Sequence, residues 1–274
     1  MNKLDQDSSI DKCTLLVSTY NWPEALELCL ESIANQTVIP TEVIIADDGS
    51  KDATKAIIEK YSGQLAIKHV WHPDEGFRKC IILNKALHEA STPYIVQIDG
   101  DVILDRNFIK DHLQVAEKGC FIRGTRSHIE EDFLPYLFKH KKVDFNFLSK
   151  GVKHRFNALR LPMLAGLIIK KKANSYSVRG CNMGYWLDDF INVNGYNNDL
   201  QGWGHEDEEL AARFVNMGIL KKSVKLRCIQ YHIFHPLAAR SQENTHEKTI
   251  DIVRADGIQR TENGYLQALE EKNA

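Results

Sequence analysis

Tyr94-Ile95-Val96-Gln97-Ile98-Asp99-Gly100-Asp101 is a β-branched, apolar run that ends in two carboxylates separated by one glycine. Preceded by Thr92-Pro93, it reads as a buried strand of a parallel sheet. Such sheets place ligand-handling groups just beyond the carboxyl ends of their strands. Two carboxylates held there repel each other unless a positive charge lies between them. A hard divalent cation meets that need, because oxygen ligands suit Mg2+ and Mn2+ and leave positions open for phosphate oxygens. Asp-Gly is also ordinary turn chemistry, so the tripeptide alone leaves both readings open.

Residues 13–21 read as a first strand running into the polar loop Ser18-Thr19-Tyr20-Asn21. Pro23 opens a helix over about 24–35, with Leu26, Leu30 and Ile33 at helical spacing. A second strand, 43–46, stops at Asp47-Asp48-Gly49-Ser50; a helix over 52–61, a third strand over 67–71 and a helix over about 79–90 follow. Alternating strands and helices argue for an α/β fold with a mostly parallel central sheet and right-handed crossovers. Three strand ends in this half carry polar or acidic groups. Each alone suits a turn or a helix cap; together on one sheet edge they favour a nucleotide crevice. There is no GxxxxGK[ST] and no GxGxxG, so neither a P-loop nor a dinucleotide-binding reading is supported.

The whole composition is permissive. With 274 residues, 43% hydrophobic and 26% charged, the chain reads as one globular unit, and a net charge of −2 gives no global attraction to nucleic acid. The six cysteines are scattered without a CxxC pair, as expected of buried thiols in a reducing compartment. The first eleven residues are polar, and no run of 18 apolar residues occurs, so a cytoplasmic location is expected.

The second half differs. Ten Lys/Arg between Lys139 and Lys172 face a single acid, Asp144, with aromatic residues interleaved. This basic insertion, 132–174, is either a solvated helical face or a peripheral contact with the inner face of a membrane, with nucleic acid the poorer fit. Residues 177–184 return to the core as a strand or turn. Gly202-Trp203-Gly204-His205-Glu206-Asp207-Glu208-Glu209 then leads into a helix to about 217, its glycines allowing close backbone approach beside an indole suited to a sugar face. For Glu208 and Glu209 an exposed place in the first helical turn suffices. Residues 229–236 form a strand-like segment with His232 and His235, and a His here can complete a metal site begun by the aspartates. The tail, 240–274, reads as a polar helix or two without legible chemistry.

The ordered set Ser-Thr-Tyr-Asn (18–21), Asp-Asp-Gly-Ser (47–50), Gly-Phe-Arg-Lys (76–79), Asn84-Lys85-Ala86 and Asp-Gly-Asp (99–101) resembles the inverting GT-A glycosyltransferases of family 2. Arg-Gly-Cys-Asn-Met (179–183) and the 202–209 stretch are similar to a galactosyltransferase-type C-terminal module. The resemblance covers residues 13–236. It implies a GT-A fold, with 13–110 as nucleotide-binding half and 175–236 as acceptor and catalytic half. It implies an enzyme that moves a sugar from a UDP-sugar donor to a saccharide or glycolipid acceptor in bacterial cell-surface polysaccharide or lipopolysaccharide synthesis. Donor-binding residues would be Ser18, Thr19, Tyr20, Asn21, Asp48, Arg78, Asn84, Asp99 and Gly100. Asp101 and Asp99 would hold Mn2+ or Mg2+, with His232, or else His235, as a further ligand. Asp207 would be the general base, with Glu206 beside it on the acceptor and Trp203 packed against a sugar. Leu83 before Asn84 departs from the family pattern and makes Arg78 or Lys79 the phosphate contact; Gly-Tyr-Asn-Asn (195–198) departs as well. The alternatives are a nucleotidyltransferase of similar fold, disfavoured by the absence of a Gly-rich basic loop after the first strand, and a non-catalytic UDP-sugar-binding protein.

Overall fold

A computed structural model describes residues 10–236 and 243–269. The extreme N-terminal stretch and the two ends of the tail, about which the sequence raised expectations, lie outside them. In chain order the elements are β1 (Thr14–Thr19), α1 (Pro23–Ala34), β2 (Glu42–Asp47), α2 (Asp52–Tyr61), β3 (Ile67–Trp71), α3 (Lys79–Leu87), β4 (Tyr94–Asp99), β5 (Val102–Leu104), α4 (Phe108–Val115), β6 (Cys120–Arg123) and β7 (Ser127–Ile129). Then come α5 (Leu134–His140), β8 (Val152–Lys153), α6 (Pro162–Ile168), β9 (Lys170–Lys172), β10 (Met183–Trp186), α7 (Leu187–Asn192), α8 (Glu206–Asn216), β11 (Leu220–Ser223), β12 (Gln230–His232) and α9 (Glu243–Ala255).

The main sheet has the order β3-β2-β1-β4-β10-β6-β11-β9. Only β10 and β9 run against the rest. Helices cover both faces, which is why β1, β2 and β4 read as unbroken apolar runs rather than alternating ones. Leu15 and Val17 of β1 pack with Leu26, Leu30 and Ile33 of α1, while Leu16 faces Ile82, Leu83 and Ala86 of α3. From β1 the chain winds outward through β2 to β3, then crosses back to lay β4 on the other side of β1. The crevice that forms where the winding reverses lies at the carboxyl ends of β1 and β4, where Ser18 and Asp99 are register partners.

A second sheet, β5-β12-β7-β8, stands beside the first. Its pairing sets His232 against Val102 and brings the Ile233 N–H to the Asp101 carbonyl at 2.9 Å. Of the strand-like segment 229–236, only Gln230–His232 is a strand; His235 follows without regular structure. The basic segment is not one helical face. It is broken into α5, β8, a 3-10 turn at Arg155–Ala158, α6 and β9, and it buries Leu137, Phe145, Val152 and Ala158 under the small sheet. Outward it leaves Phe156, Met163 and Leu167 at 90%, 94% and 81% exposure. All six cysteines are buried free thiols.

One expectation fails on burial. Glu209 is not exposed: at 1% accessibility it grips the fully buried Arg213 one helical turn on, at 2.9 and 2.6 Å. The remaining Arg213 nitrogen donates to the Val193 carbonyl at 2.7 Å, fixing α8 to the turn after α7. The tail forms the expected helix, α9, and its later residues are tied into the core. Tyr265 packs in the main core, and the Asn194 side chain bonds to Thr261 and Gln267. Glu209→Ala, which leaves a guanidinium buried and unpaired, should lower the unfolding free energy by about 3–5 kcal/mol in urea denaturation.

Candidate active site

At the carboxyl ends of β1 and β4 lies a cavity of about 900 Å³, open to solvent along one side. Ser18, Thr19, Tyr20 and Asp48 line one end, Asp99, Gly100 and Asp101 its floor, and Trp203, Glu206 and Asp207 the far wall. Gly100 sits in a tight spot: a Cβ there would stand 3.1 Å from the Ser18 carbonyl and 3.2 Å from the Thr19 side chain, so these neighbours would have to yield by a few tenths of an ångström. Its N–H donates to that same carbonyl at 2.7 Å, so the turn after β4 is pressed against β1.

Asp101, His232 and His235 converge. Asp101 Oδ2 lies 3.4 Å from His232 Nε2 and 3.2 Å from His235 Nε2, and one ligand atom from each residue falls within 4.8 Å of the others. Both histidines therefore reach Asp101, where one had been expected. Burial pulls the His232 imidazole below its ordinary pKa despite the Asp101 charge; the hydrogen bond to Asp101 pushes His235 above it. Asp101 Oδ1 is buried with no hydrogen-bond partner among the described residues. An orphaned carboxylate oxygen beside two imidazoles fits a divalent cation, and the mixed nitrogen and oxygen donors suit Mn2+ better than Mg2+. Asp99 stands apart from this cluster.

Asp99 instead belongs to a web around Lys79. It accepts from Ser18 at 2.8 Å and from the Lys79 ammonium at 3.0 Å, and Lys79 reaches Glu206 at 3.2 Å. Burial works against the Lys79 charge, but the carboxylates of Asp99, Glu206 and Asp207 outweigh it and hold its pKa well above that of an ordinary lysine. Burial alone would raise Asp99; the Lys79 charge and the bond from Ser18 bring it below the usual carboxylate range. Asp207 goes the other way. Desolvation and the neighbouring Glu206 charge push it up to about 7 against the pull of Lys79 and the Gly180 N–H. Glu206 and Asp207 open α8, where the macrodipole favours acids, and two backbone N–H groups, from Gly180 and Glu208, aim the Asp207 carboxylate.

At the other end of the cavity, Tyr20 is half exposed and its hydroxyl donates to Asp74 at 2.9 Å. Asp48 is held by His72 at 2.6 Å and the Arg78 N–H at 2.9 Å. Three expected contacts are spent elsewhere. Asn21 adopts a positive φ of 45° and serves as a turn, accepting from the Lys51 N–H at 2.9 Å. The Arg78 guanidinium turns away to Glu75 at 2.7 Å and the Pro73 carbonyl at 2.8 Å. Asn84 is fully buried, and its amide bonds the Tyr196 carbonyl, the Tyr196 N–H and Asn198 at 2.8, 2.9 and 2.8 Å. None of the three lines the cavity. Lys79, offered as a phosphate contact, is an internal counter-ion.

Sequence reading also missed His246. This α9 residue is buried, with its ring nitrogens 2.6 Å from the Gly204 carbonyl and 3.2 Å from that of Gln201. It braces the loop that carries Trp203 from a segment 42 residues away, and no local pattern announces such a contact.

The profile of glycosyl transferase family 2 matches residues 14–172, and that of the N-terminal domain of galactosyltransferase matches 167–236. Among curated proteins, chondroitin synthase of Escherichia coli is 24% identical over 89% of this chain and 38% of its own. Validoxylamine A glucosyltransferase of Streptomyces hygroscopicus subsp. limoneus is 26% identical over 77% of this chain and 49% of its own. The chain thus spans half or less of the length of these relatives. Among solved structures, S. aureus TarS 1–349 in complex with UDP superposes with a TM-score of 0.62 at 16% identity, covering 90% of this chain and 68% of that one. Mannosyltransferase PcManGT from Pyrobaculum calidifontis in complex with GDP-Man and Mn2+ gives 0.56 at 18%, covering 95% and 68%. The shared fold is GT-A.

The charge web makes a titration prediction. In carboxyl-resolved NMR of the metal-free protein, Asp207 should titrate near pH 7. Glu206→Gln, which removes a like charge, should move that midpoint down by about one unit.

Proposed function

The chain belongs to glycosyl transferase family 2, and from that premise we propose that it transfers a sugar from a UDP-sugar to a saccharide hydroxyl with inversion at the anomeric carbon. The observation that carries this reading is the placement of the Asp101, His232 and His235 cluster and the Asp207 carboxylate on the walls of one cavity. The relatives support a polysaccharide or glycolipid acceptor of the bacterial cell surface.

Ser18, Thr19, Tyr20 and Asp48 would receive the nucleoside, with Tyr20 offering a ring face and Asp48 its remaining lone pairs. Asp101, His232 and His235 would hold Mn2+, which when bound supplies charge to neutralise a departing diphosphate. Trp203 would pack against a sugar ring, and Glu206 would accept from an acceptor hydroxyl. Asp207, held near neutrality in its titration, accepts the proton of the attacking oxygen and is therefore competent once ionised. A single displacement with the base opposite the leaving group turns an α-linked donor into a β-glycoside. Transfer should accordingly rise with pH through about 7 and then level off.

The chemistry would proceed at the inner face of a membrane. Among the described residues no helix is long and apolar enough to cross one, but α6 presents Met163 and Leu167 outward beside the exposed lysines of β9. Apolar side chains flanked by lysines match an anionic leaflet.

Asp101→Ala and His232→Ala should each abolish Mn2+-dependent UDP binding in calorimetry. Asp207→Asn should keep that binding and lose transfer by about 10²–10⁴-fold; near-normal turnover in this variant would remove Asp207 from the role of base. Met163→Glu with Leu167→Glu should release the protein from phosphatidylglycerol vesicles, and unchanged partitioning would end the membrane reading.

A further inference from the structure

Beside the main cavity lies a second pocket of about 310 Å³ whose lining carries positive charge and no acid. Arg123, Arg126, Arg179 and Lys225 surround it, with His154 at its edge. Among the described residues, none of these four cations has a carboxylate within ion-pair distance. This sets them apart from Lys79, Arg160 and Arg213, which all do. Among the described residues, Arg126 Nε is buried with no hydrogen-bond partner, and its Nη1 has only the Cys181 sulfur at 3.8 Å. Burial and the adjacent Arg179 and Arg126 charges draw the pKa of Arg123 below its ordinary value, a sign of crowded, uncompensated cations.

The pocket is firmly built. Asn182 forms part of its wall, donating to the Thr125 and Cys228 carbonyls at 2.8 and 2.9 Å while its oxygen meets His112 at 3.0 Å. Gly124 lies so close to the Asn182 amide that a Cβ would overlap it, so the backbone beside the arginines is fixed. Asn157 closes one side by donating to the Arg126 carbonyl at 2.9 Å. Folding cations together without partners is costly, and a bound anion offsets that cost through charge-assisted hydrogen bonds.

Arg179 directly precedes Gly180, whose N–H holds Asp207, and Arg126 and Arg179 line both cavities. A group seated among these cations is therefore close to the Asp207 carboxylate. We infer that the second pocket is an acceptor subsite for an anionic group, a carboxylate or a phosphate carried by the saccharide whose hydroxyl is glycosylated. This assignment rests on the transferase reading above and names its acceptor as an acidic one.

The test uses the whole chain saturated with Mn2+ and UDP, titrated in separate calorimetric runs with glucuronate, glucose 6-phosphate and glucose. At least one acid should bind while glucose does not, and the tighter of the two tells carboxylate from phosphate. Lys225→Glu, at an exposed position, should weaken that acid by about tenfold or more, with the melting temperature reporting on folding. Binding of glucose as strong as that of the acids, or no binding of either acid, overturns the assignment. So does displacement of the acid by UDP, which would give the pocket to the donor, or an unchanged affinity in Lys225→Glu. Failure of UDP itself to bind counts against the donor reading alone, because the acid titrations can be repeated without it.

Discussion

One ammonium group holds the cavity together. Lys79 stands among Asp99 at the end of β4 and Glu206 and Asp207 at the start of α8, bonded directly to the first two. Three carboxylates in so small a volume would repel strongly without it. The lysine joins elements more than a hundred residues apart in the chain, the floor of the cavity and the wall that carries Glu206 and Asp207. Its charge is not spread evenly. Asp99 takes the direct bond and stays ionised, whereas Asp207 receives only the more distant field and titrates near neutrality. Unequal sharing of one cation thus separates a fixed anion from a group able to take up a proton.

The two sheets divide the work in a way that follows from register. The main sheet sets Ser18 beside Asp99 and leaves the crevice at the point where its winding reverses. The small sheet supplies what the main one lacks: β12, held between β5 and β7, brings His232, and His235 just beyond it, from far along the chain to the turn that holds Asp101. Asp99 and Asp101, separated by one glycine, consequently serve different partners.

Much of this was legible in the chain. Strand ends with polar residues located the crevice, and the Asp-Gly-Asp stretch with a downstream His pair pointed to the group formed by Asp101, His232 and His235. The structure engages Arg78, Asn84 and Asn21 outside the cavity for a common reason. A polar residue inside a motif can face a ligand or satisfy the backbone, and the choice depends on neighbours distant in sequence. Asn84 serves the 194–198 turn, and Asn21 the loop after β2. Glu209 was misread because one turn of amphipathic spacing does not reveal that Arg213 is also inside. The basic segment looked uniform in composition, yet some of its cations are paired, such as Arg160 with Asp111 and Lys171 with Glu117. Folding alone separates these from the unpaired ones.

The brace formed by His246 bears on where one functional module ends. The family profiles stop at residue 236, yet the loop that presents Trp203 is held from α9, and the turn at Asn194 is closed by residues 261–267. Transplanting the matched region into another scaffold would strip the Gly204 and Gln201 carbonyls of their partner and leave the loop of the indole with fewer ties to the body of the domain. The unit that can be exchanged between proteins is therefore the loop together with its distant helix, and a recombination boundary drawn at the profile's edge would cut through it.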